Sequence, residues 1–192
     1  MGRINKYFST LPLEDIMVFT FDNDNSLPKN LYGDIVEIYQ KQFRRHLNPK
    51  DIDLWMRDGY KITVALERSN LGVNDVIAFG RWFIYSELNN VRKKTNYSVY
   101  SLYFKLKDFI FISDIASIKR GGGKAIMLDI INKSKELNLP LLLIPWNDLI
   151  IDYYRKYGFE LVETDYPQLP SKVMIRKPDA VIYPFNGYKN KL

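Results

Sequence analysis

Apolar positions along this chain change their period as it is read, and each change marks an element. Ile16 to Phe21, IMVFTF, is a β-branched and aromatic run closed by the polar turn DNDNS, which reads as a strand. After Pro28, Leu31, Ile35, Ile38 and Phe43 recur at roughly helical spacing, predicting a helix over 30–47. A short second helix is expected over 51–57. KITVALER (61–68) and DVIAFGRWFIYSEL (75–88) then read as two strands parted by the turn signal SNLGVND. The long stretch 97–118, YSVYSLYFKLKDFIFISDIASI, is again rich in aromatic and β-branched residues and reads as β, with a break near Lys107 and Asp108.

The second half changes period more sharply. After three glycines, Ala125, Met127, Leu128, Ile130, Ile131 and Leu137 give a helix with a broad apolar face, stopped by Asn138 and Pro140. LLLIP is the continuous apolar run of a strand buried on both faces. Asn147 is a good N-cap for a further helix through Tyr154 and Tyr157, which Gly158 closes as a left-handed cap. FELVET and KVMIRK are expected as a closing pair of strands. The order is strand, two helices, three strands, helix, strand, helix, two strands. It predicts an α+β class, a mixed, mostly antiparallel sheet of about seven strands flanked by about four helices. No internal repeat or low-complexity linker divides the chain, so one domain over 1–192 is expected, with 178–192 as a C-terminal extension able to pack on the body or on a protein partner.

Composition narrows the chemistry. The chain has 192 residues, 46% of them apolar, enough for a sizeable core without covalent staples. It has no cysteine, which removes disulfides, thiolate metal sites and a cysteine nucleophile. The lone histidine, His46, lies in the polar run QFRRHL and reads as a surface residue, so a histidine metal site or a Ser/His/Asp hydrolase is not expected. Neither a signal peptide nor about 18 consecutive apolar residues is seen, so no membrane is expected and the protein reads as cytoplasmic. A net charge of +6 suits a polyanion, either a polyphosphate cofactor or, on weaker support, nucleic acid.

Glycine is the costliest residue to order on folding, so IKRGGGKAIMLDI, Ile118 to Ile130, needs a reason for Gly121, Gly122 and Gly123. Bare amides at a helix N-terminus form an anion nest, and Lys119, Arg120 and Lys124 surround it with positive charge. A P-loop would need Gly-Lys-Ser/Thr, whereas Ala125 follows Lys124 here. A dinucleotide fingerprint would need an early parallel βαβ unit. The reading is a phosphate cradle at which backbone approaches ligand.

Two motifs then give a resemblance that covers nearly the whole element order from Ile16 to Lys177. Arg120, Gly123 and Ala125, with Gly121, Gly122 and Lys124 between them, match the pattern Gln/Arg-x-x-Gly-x-Gly/Ala. Asn147 is followed seven residues on by Tyr154, which opens Tyr-x-x-x-Gly-Phe through Phe159. Together these resemble the acyl-coenzyme A signature and the following tyrosine motif of the GCN5-related N-acetyltransferases. The resemblance implies acetyl-CoA (or another acyl-CoA) as cosubstrate, with no metal. It implies cofactor contacts from Ile115, Ala116, Ser117, Arg120, Gly121, Gly122, Gly123, Lys124, Ala125, Asn147 and Tyr154. It further implies that the fourth and fifth strands part near Asp114–Ser117 and Pro145, that Tyr154 protonates the departing thiolate, and that Asp114 or Glu67 takes the proton of an attacking primary amine of unspecified size. The loop before Arg120 is shorter than in the family, and Ile150 stands where alanine is frequent. A catalytically silent copy of the fold, used for binding or assembly in the manner of a viral structural component, is the competing reading.

Overall fold

The computed structural model describes residues 15–68, 75–89 and 91–182. Strand β1 (Ile16–Phe21) is followed by a 3-10 turn at Lys29–Leu31 and helix α1 (Tyr32–Phe43). Helix α2 (Pro49–Arg57) begins with a reciprocal cap: Asn48 Oδ1 accepts from the Lys50 N–H and Asp51 Oδ2 from the Asn48 N–H, each at 2.9 Å. Strands β2 (Lys61–Glu67) and β3 (Asp75–Ile84) lead to helix α3 (Val91–Tyr103), then β4 (Ile110–Ser117), helix α4 (Gly122–Leu137) and β5 (Leu141–Leu143). A 3-10 turn at Asp148–Ile150 runs into the short helix α5 (Ile151–Arg155), and β6 (Glu160–Glu163) and β7 (Lys172–Arg176) close the chain. The seven strands form one sheet in the order β1-β2-β3-β4-β5-β7-β6, in which only the β4–β5 pair is parallel. The α+β expectation is met.

Helix α3 corrects the sequence reading, which carried β structure from residue 97 to residue 118. Tyr97, Tyr100, Tyr103 and Phe104 recur every three or four residues, so a helix can set them on one face. Burial there outweighs the β propensity of each residue. Tyr97 lies 4.7 Å from the ring centre of Phe83 and Tyr100 lies 5.2 Å from that of Phe111. The expected break does fall between Phe104 and Phe109, where α3 ends and β4 begins.

Both faces of the sheet are covered. Helix α4 buries Ala125, Ile126, Met127, Ile130 and Ile131 against Ala65, Ile77, Ala78, Trp82, Ile110 and Ile112. Each such isoleucine contributes about 1.5–3 kcal/mol relative to exposure. On the opposite face α1 and α2 cover Phe79, Val64 and Ala116, while α3 covers Phe83, Phe111, Leu142 and Val173. The first residues of the C-terminal segment dock on the body. The wholly buried Arg176 guanidinium donates to carbonyls of Tyr157 (2.7 Å), Lys177 (2.8 Å) and Ala180 (2.5 Å). Residues 183–192 of the expected extension lie outside those described. No helix among the described residues is long and apolar enough to cross a membrane.

Candidate functional site

The sheet opens where β4 outlasts β5. Their pairing consists of Ile110–Leu141, Phe111–Leu142 and Ile112–Leu143 and then stops. Ile144 and the buried Pro145 lead the chain away from the sheet, and proline has no N–H to continue a ladder. The strands therefore part where the resemblance implies. At the same level β4 carries a bulge. Arg81 on β3 faces Asp114 while the next residue, Trp82, faces Ile112, so Ser113 is the extra residue. The bulge resets the alternation of β4. Ile112 faces α4, and so does Ile115, but Asp114 turns to the α2 face with Ala116. The Ser113 hydroxyl is buried with no hydrogen-bond partner among the described residues.

Asp114 lies 2.5 Å from Arg81 Nη2. The Arg81 guanidinium is itself held over the Trp55 ring at 4.1 Å and over Tyr60 at 5.2 Å, so a cation–π clamp fixes the carboxylate. Glu67, the other sequence candidate for a base, pairs with Lys119 at the start of the glycine loop.

The three glycines have three separate reasons. Gly121 caps α4 with φ +101°, a conformation that costs a residue with a Cβ. At Gly122 a Cβ would lie 2.8 Å from Ala78 Cβ and 2.9 Å from Ser117 Oγ, so this residue lets α4 sit directly on β3. At Gly123 a Cβ would meet nothing closer than 3.6 Å, and the Tyr153 hydroxyl would be 3.9 Å away. The sequence reading assigned all three to ligand approach; backbone conformation accounts for Gly121 and packing for Gly122. Of the nearby amides, the Ala125 N–H donates to Gly121 O at 2.9 Å and the Gly122 N–H reaches Lys119 O at 3.4 Å. The Ser117 hydroxyl donates to Lys119 O at 2.5 Å, which supports the loop from beneath. Arg120 is exposed.

The tyrosines approach from the α4 side. Asn147 Oδ1 accepts from the Ile150 N–H at 3.3 Å and caps the 3-10 turn before α5. Helix α5 and the residues after it then present Tyr153, Tyr154 and Tyr157. Tyr157 is fully buried and its hydroxyl donates to that of Tyr153 at 3.0 Å, leaving Tyr153 the phenol nearest Gly123. The Tyr154 ring packs against Tyr153 and Phe159. Burial pushes its phenol well above the usual range, and the charges of Tyr153 and Asp114 push the same way, so it stays protonated at neutral pH. The phenol packs on the α4 side of the sheet and the Asp114 carboxylate lies on the α2 side with Arg81. Sequence reasoning did not find Arg81, Ser113 or Tyr153. The pattern RWFI gave no sign of a bulge partner, although Trp55, Tyr60 and Arg81 are a set that a clamp requires.

On that α2 face a cavity of about 340 Å³ opens among α1, the α1–α2 connection that carries His46, α2 and the first turn of α3. Arg81 lines it and links it to Asp114. Among the described residues no group of three or more acidic or histidine side chains is gathered to hold a metal.

No protein-family profile and no curated protein matches the sequence, but solved structures do match the fold. A mosquito arylalkylamine N-acetyltransferase like 5b is similar at 9% identity with a TM-score of 0.54, over 84% of this chain and 99% of that one. An acyl-CoA N-acyltransferase from Pseudomonas aeruginosa is similar at 19% identity with a TM-score of 0.53, over 84% and 99%. A histone acetyltransferase HPA2 and related acetyltransferase from Corynebacterium glutamicum is similar at 15% identity with a TM-score of 0.52, over 85% and 97%. The chain has the acyl-CoA N-acyltransferase fold of the GCN5-related N-acetyltransferases.

Proposed function

We propose that the chain is an acyl-CoA-dependent N-acyltransferase that places an acyl group, acetyl in the simplest case, on a primary amine within a ternary complex. The observation that carries this reading is the opening at Ser113. There β4 loses its β5 partner, Asp114 lies on one face and Tyr154 on the other, and the glycine-led N-terminus of α4 follows the end of β4. The neighbours named as N-acetyltransferases and as an acyl-CoA N-acyltransferase share the fold, which supports the reaction class.

The residues present fit acetyl-CoA. Space beside Gly123, an unpartnered buried hydroxyl at Ser113 and the start of a 16-residue helix flanked by Arg120 and Lys124 suit a phosphorylated arm lying along β4. When bound, acetyl-CoA supplies an acyl group activated as a thioester. Amides at the head of α4 with Arg120 and Lys124 would hold the diphosphate, and Ile115 to Ser117 with Asn147 would border the arm. The acceptor nitrogen gives up its proton toward Asp114, directly or through water. Tyr154, protonated at neutral pH, would hold its proton toward the sulfur of that thioester, so that the thiolate displaced by the attacking amine would leave as a thiol.

Calorimetry or a thermal shift with acetyl-CoA tests the proposal. Binding at about 100 times Kd should add about 2.7 kcal/mol of stability, and no binding up to millimolar ligand would leave a silent copy of the fold. Tyr154→Phe should lower kcat by about 10²–10⁴ while acetyl-CoA affinity holds. Unchanged kcat would remove Tyr154 from the proton path.

A further inference from the structure

The size of the acceptor is written in helix α3. Beside Asp114, the face away from α4 is not open sheet. Helix α2 covers one side, and α3 continues over β3, β4, β5 and β7 with Tyr97 and Tyr100 laid on Phe83, Phe109 and Phe111. The far edge is shut as well: Tyr103 of α3 meets Tyr166 in the β6–β7 connection at 5.8 Å, and Leu169 of that connection is buried in the same cluster. The near edge is fastened by Lys93 in the first turn of α3, which pairs with Asp58 at the end of α2 at 2.5 Å. What remains beside these helices is the cavity of about 340 Å³, walled by α1, the α1–α2 connection and α2 and met by α3 at Lys93, whose lining includes Tyr39, Leu54, Trp55, Asp58, Arg81 and Lys93.

We propose that this cavity takes the acceptor, that the acceptor is a small polar molecule bearing a primary amine, and that α3 excludes a polypeptide. The proposal rests on the acyl-transfer reading above and adds the substrate class. Its volume stands at the low end of ligand pockets, about 300–1,000 Å³. Peptides are taken on open grooves or exposed sheet edges, and the roofed face beside Asp114 offers neither. The lining mixes two aromatic rings with both signs of charge, which suits a polar ligand rather than an apolar one. Arg81 Nε is buried with no hydrogen-bond partner among the described residues, a donor that a ligand oxygen or a water would satisfy. Arg81 forms part of both the cavity wall and the Asp114 ion pair, so a ligand held on Arg81 lies one side chain from that carboxylate.

The test uses the whole chain with acetyl-CoA and follows thiol release. Putrescine, free lysine, benzylamine and glucosamine are compared with a lysine-containing decapeptide. At least one small amine should give saturable release, and the peptide should stay at the acceptor-free rate. Leu54→Trp, a partly exposed position on the cavity wall, should raise KM for that amine at least tenfold with acetyl-CoA affinity and Tm unchanged. A peptide turned over within tenfold of the best small amine in kcat/KM would overturn the proposal, as would an unchanged KM in Leu54→Trp. If acetyl-CoA itself does not bind, the acyl-transfer reading fails first. The same amines then decide the cavity alone: a thermal shift abolished by Leu54→Trp keeps it as a small-amine site, and no shift overturns it.

Discussion

At the scale of single residues, neighbouring glycines in one loop make opposite predictions. Gly122→Ala forces a methyl to 2.8 Å from Ala78 on β3. It should lower stability by about 1–3 kcal/mol, read as a shift in urea midpoint at constant slope. Gly123→Ala meets only ordinary contacts and should leave the midpoint unchanged or raise it slightly. Its methyl enters the space beside Ile115 and the Tyr153 hydroxyl, so acetyl-CoA binding should weaken by about 1–3 kcal/mol. Equal affinity in the two proteins would move the ligand path elsewhere. The sequence announced that the loop was costly but could not separate these roles, because the reason for Gly122 sits more than forty positions earlier, on a strand that only the fold brings near.

Asp129 supplies a second residue-scale expectation. Trp82 Nε1 donates to Thr63 Oγ1 at 2.9 Å, the hydroxyls of Thr63 and Thr20 lie 2.6 Å apart, and Thr20 donates to Asp129 Oδ2 at 3.0 Å. Burial raises the Asp129 carboxyl above its ordinary value, although the Thr20 bond pulls the other way. An acid raised in the folded state favours folding while protonated. Its contribution is therefore full below the unfolded value and is lost as pH rises through the folded one. Asp129→Asn, which can still accept from Thr20, should flatten that loss. Denaturation from pH 4 to pH 7 should show the variant gaining on the parent as pH rises; parallel curves would contradict it.

At the scale of elements, most of the architecture was readable. Strands β1, β2, β3, β5, β6 and β7 and helices α1, α2 and α4 fall where hydrophobic period and turn residues put them, because each has one apolar face or a fully buried run. Helix α3 did not, since YSVYSLY satisfies local β preference and its helical spacing is short. What decided it was a slab of Phe83, Phe109 and Phe111 waiting underneath, contributed by β3 and by β4 with the residue just before it. The site divides the same way. The glycine loop and the Asn147-to-Phe159 pattern were visible as local motifs. The bulge at Ser113 and the Arg81–Asp114 pair were not, because register across strands has no mark in a single sequence.

At the scale of the whole molecule, the sheet is two panels. Strands β1 to β4 hang together through long antiparallel ladders, and β5, β7 and β6 form a smaller set. Three residue pairs join them, along with the packing of α3, α4 and α5. Amide exchange should therefore show the smaller panel opening at lower free energy than β2 and β3, and acetyl-CoA should slow exchange in β4 and β5 above all other strands. Uniform protection across the sheet would argue against a ligand lying between the panels. A molecule built this way resembles a book bound by a short stretch of spine: a ligand slipped between the leaves would add to the binding, so its affinity and the cohesion of the two panels should rise and fall together.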